Sequence, residues 1–235
     1  MIKTVDEVAS TEDAKNKIII GDSRILMSKI QDESIDLFLS DMPYGIDYCS
    51  NRTNRKEKIV NDGFDDWMKL IGWLLPEVKR VLTPTGVACI FCGGGGKTPV
   101  TAIFTLEAIK HMELIQTVVW RKFNGLGYRY RPAYENIVVL SKSKKNYNFY
   151  DTSKKCVNLI EGINQIIPRA GMHPTIKPVE LMEKFIKIHS KEGDVVLDPF
   201  CGHGSVAVAC KNLNRNFICC DIVEDYCRVA NNRIL

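Results

Sequence analysis

The run Ile35-Asp36-Leu37-Phe38-Leu39-Ser40 is short and apolar, and Asp41-Met42-Pro43-Tyr44 closes it at once. A run of this length and character reads as a buried strand. A carboxylate, a proline and an aromatic ring then stand at the strand's end, which is where an open α/β sheet binds its ligands. Pro43 biases position 42 to an extended conformation and leaves the Met42 carbonyl out of helical pairing. The Asp41 carboxylate and the Met42 carbonyl are thus two acceptors able to converge on one NH2 group, and Tyr44 can cover the ring that carries it. A turn that merely ends a strand, with Tyr44 as its lid, fits the tetrapeptide equally well.

Other strand signals alternate with amphipathic stretches, which predicts an α/β fold. Lys17 to Gly21 reads as a strand, and Asp22 follows it. Asp22 serves equally as the N-cap of a helix over Ser23 to Ile30 or as a ligand contact. Phe64 to Leu82 carries one continuous apolar face and stops at Thr83-Pro84-Thr85-Gly86. Strands are expected at Val87–Phe91, Leu114–Arg121, Glu135–Ser141, Val195–Leu197 and Phe217–Cys220. Helices are expected over about 98–111, up to Ser190 after Pro178, over Ser205–Leu213 and over Glu224–Ile234. Residues 1–15 read as polar, either loose or holding a short helix. A length of 235 residues fits one large α/β domain.

Charge narrows the partners only slightly. A net charge of +4 permits an acidic partner without demanding one. Nine cysteines, several inside apolar runs, suit free thiols in a reducing, cytoplasmic setting. Cys89-x-x-Cys92 has zinc-like spacing, but no second pair completes a site, and no metal is expected. No signal peptide or bilayer-length apolar run is seen.

Two segments combine basic and aromatic residues. The first, about 45–63, reads as a mobile surface loop carrying Arg52, Arg55, Lys56 and Lys58, set either to face solvent or to close over a polyanion. The second follows Arg121: Lys122, Asn124, Tyr128, Arg129 and Arg131 surround two glycines, which suits phosphate contact with base stacking. Gly93–Gly96 with Lys97-Thr98 fails as a phosphate loop, because its first glycine would fall on Phe91.

Strand, glycine loop, helix, strand and acid recur at Asp198-Pro199-Phe200-Cys201-Gly202-His203-Gly204 with Asp221 downstream. Gly202 and Gly204 allow close approach of a ligand, and Asp221 can accept from both ribose hydroxyls. NAD satisfies the same pattern. Against it, the chain ends about one βαβ unit later, and the loop holds no basic residue to meet a pyrophosphate. S-adenosylmethionine has a ribose and an adenine but no phosphate.

Three motifs now stand in order: Asp41-Met42-Pro43-Tyr44, His173-Pro174-Thr175-Ile176-Lys177-Pro178, and Asp198 to Gly204. The chain resembles the β class of DNA amino-methyltransferases, which modify adenine N6 or cytosine N4. The resemblance covers about Asp22 to Leu235. It implies a Rossmann-like methyltransferase fold with a mostly parallel seven-stranded sheet, helices on both faces and a permuted motif order. It implies catalysis by Asp41, Met42, Pro43 and Tyr44. The cofactor, S-adenosyl-L-methionine, is expected to lie against Asp22, Thr175, Lys177, Asp198, Phe200, Gly202, His203, Gly204 and Asp221. Residues 142–172 fall where target recognition should lie. Double-stranded DNA, a homodimer and a partner restriction enzyme follow as expected partners. Met42 departs from the usual proline, but a backbone acceptor there is preserved. His203 stands where a small polar residue is common, and reads as a satisfied loop histidine. Asp41 points to adenine N6, since cytosine N4 enzymes often carry Ser there. The alternatives are cytosine N4 transfer and an inactive, methyltransferase-like DNA-binding subunit.

Overall fold

The computed structural model describes residues 2–46, 63–93, 98–122, 133–166 and 176–235. Its strands are β1 (Ile2–Thr4), β2 (Lys17–Ile20), β3 (Ile35–Ser40), β4 (Leu82–Gly93), β5 (Glu113–Arg121), β6 (Tyr134–Ser141), β7 (Leu159–Ile160), β8 (Val195–Asp198) and β9 (Asn216–Asp221). Among the described residues they form one sheet in the order β1-β2-β9-β8-β3-β4-β6-β5-β7. β6 runs antiparallel to both its neighbours, and the other pairings are parallel.

Helices cover both faces. On one side lie α2 (Ser23–Lys29), α3 (Phe64–Val81) and α4 (Val100–Ala108); on the other lie α5 (Val179–His189), α6 (Ser205–Asn212) and α7 (Glu224–Ile234). A short α1 (Thr11–Ala14) precedes β2. Strand alternation divides the core between the faces. Phe38, Ala88, Ile90 and Val138 pack toward α2–α4, while Leu37, Leu39, Cys89, Phe91 and Val139 pack toward α5–α7. Cys89 and Cys92 thus fall in opposite layers, so their spacing cannot gather one metal ion.

Helix α3 continues through Pro76. Its buried face, Trp67, Ile71, Leu74, Leu75, Val78 and Val81, explains why. Each such side chain stabilises by roughly 1.5–3 kcal/mol, against about 3 kcal/mol for an interior proline.

The expected seven strands become nine, through two short edge strands. Ile2–Thr4 pairs with Ile18–Ile20, where Ile2 packs on the apolar layer beneath. Leu159–Ile160 pairs with Val119–Trp120, and buried Ile160 joins the cluster that holds Trp120. Each pairing is decided by what the partner strand offers, not by a local run long enough to be read as a strand. The stretch Thr83–Gly86, expected only to end the preceding helix, extends β4 at its start.

β3 and β8 lie side by side, with Leu37 opposite Val196 and Phe38 opposite Leu197. From β3 the chain passes through α3 to β4 on one flank; from β8 it passes through α6 to β9 on the other. The carboxyl ends of β3 and β8 therefore form a topological switch point, where a crevice opens.

Candidate active site

Four aspartates line that edge. Asp22 follows β2, Asp41 follows β3, and Asp198 and Asp221 end β8 and β9. β6 runs the opposite way, so its beginning reaches the same edge: Glu135 lies opposite Gly93 on one side and Trp120 on the other.

Asp41 is the centre of a buried polar cluster. The Tyr44 phenol donates to Asp41 Oδ1, and the Lys177 ammonium donates to Asp41 Oδ2. The same ammonium lies 3.3 Å from Glu135 Oε2 and donates to the Tyr44 hydroxyl at 3.3 Å. Lys122 closes the chain at 2.8 Å from Glu135 Oε1. The Lys177 side chain is 7% exposed and that of Glu135 13%, so these charges are largely shielded from solvent. Lys177 follows an extended approach into α5, and Ser205 Oγ fixes its carbonyl at 2.7 Å.

The charges set one another. Burial alone would lower Lys177, but Asp41 and Glu135 outweigh it and hold it above lysine's ordinary value. Burial alone would raise Glu135, but Lys177 and Lys122 bring it below the ordinary range. At Asp41 burial is larger and pushes the carboxyl up against the pull of Lys177. Burial, Asp41 and Glu135 push the Tyr44 phenol well above its usual value, so it stays a donor at neutral pH. Burial likewise pushes up the Cys89 and Cys92 thiols, which makes neither a ready nucleophile.

Met42 is buried and belongs to the core beneath β3. Its side chain therefore contributes packing, which a methionine supplies as readily as a proline.

The glycine loop is built around two carboxylates. Asp198 Oδ1 accepts from Ser40 Oγ at 2.7 Å and from the Phe200 amide at 3.2 Å. Burial pushes its carboxyl up to about 7. Asp221 accepts from the Gly202 amide at 2.9 Å and the Val223 amide at 2.9 Å. Burial raises it too, and those amides oppose the rise. Gly204 has φ +72, and a Cβ there would stand 2.7 Å from Ala230 Cβ. Glycine thus lets the loop press against α7.

His203 is buried within this loop, edge-on to Tyr226 with ring centroids 5.1 Å apart. Its carbonyl accepts from Arg233. Burial and Arg233 push its imidazole down to about 4, so the ring is neutral at pH 7. Asp22 caps α2, accepting from the Arg24 amide at 2.8 Å. The Arg24 guanidinium holds its carboxyl below the usual range.

The donor set suits an adenosine sulfonium. Carboxylates at the ends of three adjacent strands, β2, β9 and β8, offer acceptors to hydroxyls and an amine, and Phe200 lies beside them. The described glycine loop brings no lysine or arginine side chain for a pyrophosphate.

The structure thus brings together Asp41, Met42, Pro43, Tyr44, Lys177, Asp198, Phe200, Gly202, His203, Gly204 and Asp221, with Asp22 further along the edge. Lys177, expected beside the cofactor, sits against Asp41; Lys122, expected at DNA, turns its ammonium to Glu135. Arg52, Arg55, Lys56, Lys58, Asn124, Tyr128, Arg129, Arg131 and Thr175 lie outside the described residues, as does most of the loop 45–63. Sequence reasoning missed Glu135 as a site residue. Its signal was present: it is the lone acid in the basic stretch Arg121–Lys145, at the start of a strand.

A family model described as DNA methylase, of the N6 and N4 type, matches residues 35–232. The Type II methyltransferase M.HpaI of Haemophilus parainfluenzae is 30% identical over 240 residues, covering 93% of this chain and 74% of that protein. The Type II methyltransferase M2.DpnII of Streptococcus pneumoniae is 28% identical over 248 residues, covering 94% and 90%. Among solved structures, the cytosine-N4-specific PvuII DNA methyltransferase superposes with a TM-score of 0.72 at 19% identity, over 93% of this chain and 86% of that one. The complex of M1.HpyAVI with S-adenosylmethionine gives 0.70 at 23% identity, over 100% and 99%.

Proposed function

The chain belongs to the N6/N4 DNA methylase family, and from that premise we propose that it methylates the exocyclic N6 of an adenine flipped out of double-stranded DNA. It is a site-specific DNA methyltransferase. One catalytic domain is proposed, with residues 142–172 in target recognition. Its relatives' designation as Type II methyltransferases supports a role in restriction–modification, with a companion nuclease and a second copy of the chain as proposed partners.

When bound, S-adenosylmethionine supplies an electrophilic methyl on a sulfonium. Asp221 would hold the ribose, Phe200 and the loop at Gly202 and Gly204 would line the adenosine, and Asp198 would face the amino-acid end. The other reactant is an aromatic amine, a poor nucleophile because its lone pair is shared with the ring. Taking the base from the stack costs a few kcal/mol. Stacking on Tyr44 returns about 1–3 kcal/mol of that. Asp41 and the Met42 carbonyl accept the two N–H groups, so the nitrogen becomes tetrahedral and its lone pair points at the methyl. Held there, the nitrogen would take the methyl that the sulfonium gives up, and Asp41, which accepts one of its N–H groups, is the group placed to take the surplus proton. Positioning and electrostatics carry the acceleration, with no cysteine adduct.

The observation that carries this reading is the Ser40–Asp198 hydrogen bond. It joins the strand that leads into Asp41 to the strand that opens the cofactor loop. The preference for adenine rests on Asp41 as the leading residue of its motif. The test is methyl transfer from labelled S-adenosylmethionine to unmethylated genomic DNA, with product nucleosides separated by mass spectrometry. N6-methyladenine supports the reading. N4-methylcytosine overturns the base while keeping the chemistry. No product from cofactor-bound protein overturns the activity.

A further inference from the structure

Both oxygens of Asp41 are taken: Tyr44 holds Oδ1 and Lys177 holds Oδ2. An incoming NH2 group must share one of them, and an oxygen already held by an ammonium is the weaker acceptor. The Tyr44 hydroxyl also reaches Glu135 Oε2, at 3.4 Å, but it sits on the residue that would stack on the base, so the occupant free to yield is Lys177. Water is a poor destination for its ammonium, which is nearly buried and encircled by Tyr44, Phe91 and Glu135; the Phe91 ring centroid is 5.4 Å away. A buried cation left with no carboxylate is costly. Glu135 removes that difficulty, because its Oε2 already lies 3.3 Å from the same nitrogen.

We propose that Lys177 is a mobile counter-ion, seated on Asp41 in the absence of a target amine and passed to Glu135 when that amine donates to Asp41. Glu135 is then a positioning residue that touches neither base nor cofactor. Lys122 holds Glu135 in place at 2.8 Å. The alternation Asp41, Lys177, Glu135, Lys122 stays neutral throughout, since a neutral amine replaces one contact of a cation that keeps a carboxylate partner. An ammonium has three N–H donors, so a small shift exchanges its strongest partner without leaving it unpaired. The arrangement would also keep Asp41 satisfied between turnovers.

This inference rests on the methyl-transfer reading, and the experiment separates the two. Wild-type enzyme, Glu135→Gln, Lys177→Met and the double variant are compared in single-turnover methylation of saturating DNA, at alkaline pH so that Asp41 is ionised without its cation. Cofactor affinity is measured by calorimetry. Glu135→Gln should slow transfer by at least about tenfold, because Lys177 is left with Asp41 as its sole carboxylate. Its affinity for S-adenosylmethionine should stay within about threefold. Adding Lys177→Met to Glu135→Gln should then speed transfer above that of Glu135→Gln alone, because the occupant of Asp41 is gone. A purely structural ion pair predicts the opposite, a double variant no faster than the single. That result overturns the proposal, as does wild-type speed in Glu135→Gln or a loss of cofactor binding in it. Inactive wild-type enzyme would instead count against the methyl-transfer reading itself.

Discussion

Ser40 Oγ donates to Asp198 Oδ1 at 2.7 Å, although the two residues are 158 positions apart. The bond crosses between β3 and β8, the two central strands whose ends form the crevice. Burial also pushes the Asp198 carboxyl up, to about 7. The folded state therefore binds a proton more tightly than the unfolded chain, whose aspartate titrates near 3.8. Stability from this group is fully present below about pH 4 and is lost as pH rises through about 7. Urea denaturation across this window should show the unliganded protein weakening with rising pH. Asp198→Asn should flatten that slope, by no more than roughly 4 kcal/mol end to end. An unchanged slope in the variant would assign the titration elsewhere.

Asp41→Ala removes the acceptor that both Tyr44 and Lys177 address. Single-turnover methylation should fall at least about 100-fold, the scale for deleting one preorganised polar contact. Binding of S-adenosylmethionine should change little, because Asp221 and the glycine loop remain. Full turnover by this variant would remove Asp41 from the chemistry.

Gly204→Ala places a methyl group 2.7 Å from Ala230 Cβ, at φ +72. Strain in the left-handed region adds about 1–2 kcal/mol and overpacking about 1–3 kcal/mol. The thermal midpoint should drop, and cofactor affinity should fall with it because the loop must move off α7. A variant that melts with the wild type would show that the loop yields freely.

Trp120→Phe keeps the apolar bulk but loses the 2.9 Å bond from the indole N–H to the Ile163 carbonyl. A buried carbonyl left without its donor costs about 1–3 kcal/mol. Hydrogen exchange should quicken at Leu159 and Ile160, the strand that pairs beside it. Cofactor binding should be untouched, while DNA affinity weakens if residues 142–172 recognise the target. Unchanged exchange at β7 would show that the strand pairing alone holds this segment.

The alternation of short apolar runs with amphipathic helices was enough to determine the layered α/β fold. The helix over Glu224–Ile234 and most strand positions followed from local pattern, because apolar runs bounded by turn residues and one-sided apolar faces leave few alternatives. The aspartates at strand ends and the glycine loop were legible for the same reason: strand, turn and helix start are local events. Three features were decided only by tertiary structure. The edge strands β1 and β7 are too short to be seen locally and exist because β2 and β5 offer pairing partners. The neighbourhood of β3 and β8, which puts motifs from opposite ends of the chain 2.7 Å apart, follows from sheet order. The cluster of Asp41, Lys177, Glu135 and Lys122 needs an antiparallel strand to carry Glu135 to the parallel strands' carboxyl edge. In sequence Glu135 is one acid in a basic stretch; in the fold it is the second carboxylate within reach of a buried lysine, because charges removed from water must find partners wherever the chain has placed them.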